Sequence, residues 1–132
     1  MIYNKGDDSF VGDHFRAREF DCPCSRCSRT LIEPGLVAHL ERFRDHMGKP
    51  VRITSGFRCS EHQAELRALG YETAAGVSQH ELGRAVDVDC EGVTGQDLEI
   101  AARAAGFKSI GVASKWIHCD LRDTFLMWKY NQ

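Results

Sequence analysis

The chain predicts an α+β fold, a single domain in which a small antiparallel sheet is flanked by helices. One stretch repeats apolar residues at helical spacing, and two more open on helix-cap patterns. Between them lie short runs that are β-branched or that alternate in polarity. That order of elements suggests helices packed on a sheet whose concave face holds the site. At 132 residues the chain is long enough for one real hydrophobic core and too short for two.

Asp13–Glu19 predicts a short helical turn leading into a cysteine loop. Pro34–Met47 is the clearest helix. Leu36, Leu40, Phe43 and Met47 recur at helical spacing, Pro34 suits the first turn and Gly48 can end it. That apolar stripe is core. Val51–Thr54 reads as a strand closed by Ser55–Gly56. Ser60 fits an N-cap with Gln63 three positions on, and the helix can run to Leu69 before Gly70. Gly70–Gln79 is a loop. Arg84–Asp89 alternates as a strand, with Ala85, Asp87 and Asp89 on one face and Val86 and Val88 on the other. Thr94 with Asp97 starts another helix, whose Ala-rich body ends at Gly106. Ser109–Ala113 and Trp116–Leu121 are two last strands, close enough for a hairpin.

Composition narrows the function. Apolar residues make up 42% and charged residues 27%, an ordinary globular balance. A net charge of −2 gives no electrostatic argument for nucleic acid or an anionic membrane surface. No run approaches the length that crosses a bilayer. The start, MIYNKGDDSF, lacks a basic region followed by an apolar one, so synthesis in the cytoplasm without a signal peptide is expected. Six cysteines in this setting favour reduced thiols or a metal over a disulfide framework. Cys22, Cys24 and Cys27 lie together, and Cys59 could add a fourth thiolate for a structural metal. CxCxxC lacks a paired CxxC spacing, so reduced cysteines tightening a loop is the other reading.

The chemistry concentrates in Ser78–Asp87 and in Trp116–Asp120. Together they offer a His, an Asp and a second His. Two neutral imidazoles and a carboxylate are a common ligand set for a catalytic zinc that keeps one position for water. His80 and Asp87 are seven residues apart, and a turn at Gly83 would swing both onto one ion. His118 and Asp120 are two apart on a strand and share a face.

SxHxxGxAxD at Ser78–Asp87 followed by WIHCD at Trp116–Asp120 resembles the M15-type zinc D-alanyl-D-alanine carboxypeptidases and peptidoglycan endopeptidases, in particular compact phage-like members. The likeness starts near His14 and Phe15, includes EFDC at Glu19–Cys22 and GKPVRITSGFRCSEH at Gly48–His62, and reaches Trp128. It implies the fold shared with the hedgehog domain and one zinc peptidase domain over residues 1–132, with the cysteine-containing segment 13–33 packed on it. It also implies His80, Asp87 and His118 as zinc ligands. Such an ion lowers the pKa of its water to about 7 and polarises a carbonyl. Arg58 stands where the family uses an arginine on substrate or oxyanion, and a guanidinium suits a peptide carboxylate. Ser78 could touch substrate near the metal or cap the loop.

Several relatives carry a His two positions before the last ligand or a Glu a few residues upstream. This chain has Trp116 at the first place and Val112–Ala113–Ser114 around the second. Asp120 is then the nearest general acid or base, or else a residue that orients an imidazole.

The expected activity is zinc-dependent hydrolysis of peptidoglycan peptides, as carboxypeptidase or endopeptidase, by a phage or prophage protein. The cofactors are one catalytic Zn²⁺ and, if the cysteines bind, a second structural ion. The expected partners are peptidoglycan peptides, with no nucleic acid, no membrane insertion and a monomeric chain. Action on the wall would follow holin-type release or incorporation into a virion. A non-hydrolytic zinc-containing binding or tail module is the alternative. His39, His46 and His62 read as surface or core residues outside the site, His14 as packing, Trp116 and Trp128 as core or rim, Asp89 as a support to Asp87 or a solvated strand end, and Cys90 and Cys119 as small buried hydrophobes.

Overall fold

The computed structural model describes residues 1–71 and 77–132; the middle of the expected 70–79 loop lies outside the described residues. The elements in chain order are β1 (Ile2–Asn4), a first 3-10 turn (Ala17–Phe20), β2 (Arg29–Leu31), α1 (Pro34–Met47), β3 (Arg52–Ser55) and α2 (Ser60–Ala68). A second 3-10 turn (Gln79–Leu82), β4 (Ala85–Asp89), α3 (Gly95–Ala104), β5 (Ser109–Val112), β6 (Ile117–Asp120) and β7 (Leu126–Lys129) follow. The fold is α+β, as expected. α1 begins and ends where its proline, apolar spacing and Gly48 place it. α3 starts at the Thr94 cap, whose hydroxyl accepts the Asp97 N–H at 3.2 Å. The cap of α2 falls one residue earlier than expected. Cys59 takes that place and its sulfur accepts the His62 N–H, while Gln63 is buried instead of closing a capping box.

β3, β4, β6, β5 and β7 form one sheet in that order. The first three pairings are antiparallel, and β5–β6 is the expected hairpin. β7 differs: it pairs parallel to β5 at the edge. The short connection from β6 crosses the end of β5, so Leu126 lands beside Ser109. β1 and β2 form a separate antiparallel ribbon.

Alternation sorts the central strands into two faces. Val86, Val88, Ile110, Ile117 and Cys119 join Leu36, Leu40 and Phe43 of α1 and Leu98 and Ala102 of α3 in one core cluster. Phe15 and Phe20, from the segment before the cysteines, are buried in the same cluster. Asp87, His118 and Asp120 have the opposite parity and project from the other face.

Gly83 ends the second 3-10 turn at φ 70°, and a Cβ there would sit 2.5 Å from the Leu31 carbonyl oxygen. Gly48 has a similar φ of 67° with nothing within 4 Å of a Cβ. Both substitutions meet left-handed strain, about 1–2 kcal/mol, and Gly83→Ala adds a backbone collision worth about 1–3 kcal/mol. Urea unfolding is therefore expected to show Gly83→Ala destabilised clearly more than Gly48→Ala; equal losses would remove the role given to the Leu31 contact.

Candidate metal centre

Three acceptor atoms converge where the second 3-10 turn meets the middle of the sheet. Ser78 caps that turn. Its hydroxyl accepts the His80 N–H at 3.2 Å, and the Glu81 carboxylate accepts the Ser78 N–H at 3.1 Å. This reciprocal cap holds His80 over β4 and β6. There Asp87 and His118 are direct cross-strand partners. His80 Nε2 lies 3.2 Å from His118 Nδ1 and 3.3 Å from Asp87 Oδ1, and the last two are 3.1 Å apart.

The outer nitrogens fix what these atoms can do. His80 Nδ1 stands 2.7 Å from the Gly56 carbonyl, which only accepts, so that nitrogen carries the proton and Nε2 the lone pair. His118 Nε2 donates to Asp120 Oδ2 at 2.8 Å. Asp120 also accepts the Ser109 hydroxyl at 3.0 Å and three donors of Arg122 at 2.9–3.0 Å. With these tautomers, two imidazole lone pairs and a carboxylate oxygen face one another, nearly sealed from water: His80 is 2% exposed, His118 7% and Asp87 8%. Such a cluster requires a cation, either a proton on His118 Nδ1 or a metal that displaces it. A tetrahedral ion with nitrogen and oxygen ligands at about 2.0–2.1 Å sets those atoms about 3.3 Å apart. The three residues fit zinc by donor type and by spacing.

Electrostatics agree. Burial holds the His80 pKa below its ordinary value. Burial also opposes charge on His118, but Asp120 and Asp87 outweigh it and raise that pKa. Burial would raise both carboxylates, yet His80 and His118 hold Asp87, and His118 and Arg122 hold Asp120, below the usual carboxylate range.

Arg58 lies against this centre. Its guanidinium donates to Asp87 Oδ2 at 3.1 Å, to Ser55 Oγ at 3.0 Å and to Gln63 Oε1 at 3.3 Å. Asp120 stands behind His118, on the nitrogen that faces away from His80 and Asp87. Ser78 is 5% exposed and its hydroxyl is engaged by the turn, so capping is the use visible for it. Cys22, Cys24, Cys27 and Cys59 come together in a second cluster, all four sulfurs within 4.8 Å of one another. Cys90 and Cys119 are buried in the core, and Asp89 pairs with Arg52 at the strand end. His14 pairs with Glu41, and His39 sits against Phe107, both away from the centre.

Sequence reasoning missed the wall beside His118. The Trp128 ring centroid is 5.3 Å from that imidazole, Trp116 stacks on Tyr130 at 4.8 Å, and Trp128 meets Tyr130 edge-on at 6.2 Å. The alternation of Leu126, Trp128 and Tyr130 with Met127 and Lys129 was a two-residue period that marked this strand.

The family model described as Peptidase M15 matches residues 13–120. The chain is 33% identical over 93 residues to the peptidoglycan L,D-endopeptidase MepK of Escherichia coli strain K12, which covers 67% of this chain and 50% of that protein. The same identity and coverage hold for MepK of Escherichia coli O157:H7 and of Shigella flexneri. The chain thus spans about half the length of the curated relatives it matches. No solved structure matches significantly.

Proposed function

Because this chain belongs to the peptidase M15 family, we propose that it hydrolyses peptide bonds of bacterial peptidoglycan, with zinc held by His80, Asp87 and His118. The observation that carries this reading is the set of three buried acceptor atoms 3.1–3.3 Å apart with no donor of their own. Zinc bound there would supply an acidified water and a Lewis acid for the scissile carbonyl.

The chain's own residues prepare that chemistry. Gly56 and Asp120 hold the two imidazoles in the tautomers that aim lone pairs inward. Arg58 engages the outer oxygen of Asp87, which leaves the other oxygen facing the histidines. Arg58, in contact with Asp87, is also a cation that could meet a substrate carboxylate or developing oxyanion, and the family resemblance supports that second use. Asp120 acts in this reading as the positioning residue for His118, because its oxygens accept from His118, Ser109 and Arg122. The Trp128 ring beside His118, with Tyr130 against it, offers an apolar surface next to the centre, suited to the backbone and methyl groups of a stem peptide.

The relatives' name favours endopeptidase over D-Ala-D-Ala carboxypeptidase action, and the compact phage-like resemblance favours a phage or prophage source. Residues 1–132 act as one domain in this proposal, with segment 13–33 as part of it. No helix among the described residues is long and apolar enough to cross a membrane.

The test is mass spectrometry of fragments released from purified peptidoglycan, with and without a zinc chelator. Freed stem or cross-link peptides that vanish with chelator and return with zinc are expected. Loss of terminal D-alanine alone would assign a carboxypeptidase. No product from several wall types, with zinc bound, would favour the non-hydrolytic module; Trp116, stacked on Tyr130 where relatives place a histidine, is the observation behind that rival.

A further inference from the structure

The four-cysteine cluster lies outside the His80 centre and joins two segments far apart in sequence. Cys22, Cys24 and Cys27 sit on the loop between the first 3-10 turn and β2, and Cys59 caps α2. The sulfur separations are 3.8 Å for Cys22–Cys59, 3.4 Å for Cys24–Cys27 and 3.5 Å for Cys24–Cys59. Disulfide sulfurs stand about 2.05 Å apart and join in pairs. These four instead form one cluster, with every sulfur within 4.8 Å of the others. A tetrahedral ion with zinc–sulfur bonds of about 2.3 Å spaces its sulfurs about 3.8 Å apart.

Two N–H donors are directed at the cluster. The His62 N–H donates to Cys59 at 3.4 Å, and the Lys5 ammonium stands 3.5 Å from Cys27. Cys59 and Cys27 thus each have an N–H donor at the sulfur. Thiols make only weak hydrogen bonds and gain little from such an arrangement, whereas four thiolates need both these donors and a cation.

We propose that Cys22, Cys24, Cys27 and Cys59 bind a structural zinc ion as four thiolates, clamping the N-terminal loop onto the corner between β3 and α2. The corner carries working parts of the first centre. Gly56 orients His80 through its carbonyl, and Arg58 braces Asp87. The two segments already meet closely: the Phe57 N–H donates to the Phe20 carbonyl at 2.8 Å, and a Cβ on Gly56 would lie 2.7 Å from Phe20 Cα. Arg26 adds ion pairs to Glu61 and Glu65 of α2. The clamp holds that corner in place, and this role stands whether or not the first centre is hydrolytic.

The test uses the full chain, as wild type and as His118→Ala, purified with zinc under reducing conditions. Elemental analysis is expected to find two zinc ions per wild-type chain and one per His118→Ala chain. Cobalt exchanged into His118→Ala should give the near-ultraviolet sulfur-to-cobalt charge-transfer band, which a His–Asp–His site cannot produce. Cys24→Ser with Cys27→Ser should remove that band. Zinc-free His118→Ala whose four thiols react at once with a thiol reagent would overturn the proposal, as would a mass lowered by disulfide formation in the reduced preparation. A sulfur-bound ion in wild type with no second equivalent would keep the clamp and sink the His80 centre instead.

Discussion

His118→Ala is expected to lose the ion at the His80 centre and to reduce peptide release from peptidoglycan to the level of buffer. The loss is larger than one missing ligand implies. Asp120 keeps Ser109 and Arg122 but loses its imidazole donor, and His80 Nε2 and Asp87 Oδ1 are left 3.3 Å apart with one ligand too few for a three-residue zinc site. His80→Ala should do the same through the opposite side of the triad. His39→Ala, on α1 and against Phe107, should leave metal and activity unchanged. Zinc content by elemental analysis and fragment release by mass spectrometry read the two effects separately. Full zinc at this centre in both variants would refute the ligand assignment. Lost zinc with activity intact would refute the zinc dependence.

How much of this was legible depends on how local each signal is. α1 was readable to the residue because Pro34, the spacing of Leu36, Leu40 and Phe43, and Gly48 all act within a few turns of one another. α3 was readable from Thr94 and Asp97, and β4 from its strict alternation. β7 carries a two-residue alternation, but its partner was not readable, because its pairing with β5 is parallel and is reached by a crossing that no turn residue signals. The antiparallel β1–β2 ribbon joins residues as far apart as Ile2 and Leu31, and no local signal marks that pairing. The helix cap at Cys59 was misplaced by one residue because Ser60 is the commoner capping type, while the sulfur is held there by the cluster it belongs to.

The candidate site divides in the same way. His80, Asp87 and His118 stand in short patterns that a sequence displays directly. Which nitrogen of each histidine faces inward is set by Gly56 and Asp120, and Gly56 lies 24 residues from His80. Arg58 was recognised by its motif, but its contact with Asp87 across 29 residues was not. Long-range partners of this kind leave no periodicity, so chemistry that depends on them becomes visible only in the fold.

Asp120→Asn separates orientation from proton transfer, and its expected effect is large. Asp120 Oδ2 accepts from His118, Ser109 and Arg122, and Oδ1 accepts two further Arg122 donors. An asparagine has the same shape but must place an NH₂ against at least one of these donors. If the NH₂ faces His118, the imidazole has to accept at Nε2, and its proton moves to Nδ1, the atom turned toward His80 and Asp87. The ligand then becomes a donor. A positioning role thus predicts metal affinity and activity falling together, by about 10–100-fold each. A proton-transfer role predicts retained zinc and a fall in turnover of about 10²–10⁴-fold. Ser109→Ala sharpens the choice, since it removes one donor to Asp120 and leaves the carboxylate in place. Under the positioning role it should weaken zinc mildly in the same direction as Asp120→Asn. Titration of zinc against a competing chelator, beside turnover at saturating zinc, gives both numbers. Because Asp120 touches the nitrogen of His118 that points away from the other two ligands, the paired loss of affinity and rate is the expected result.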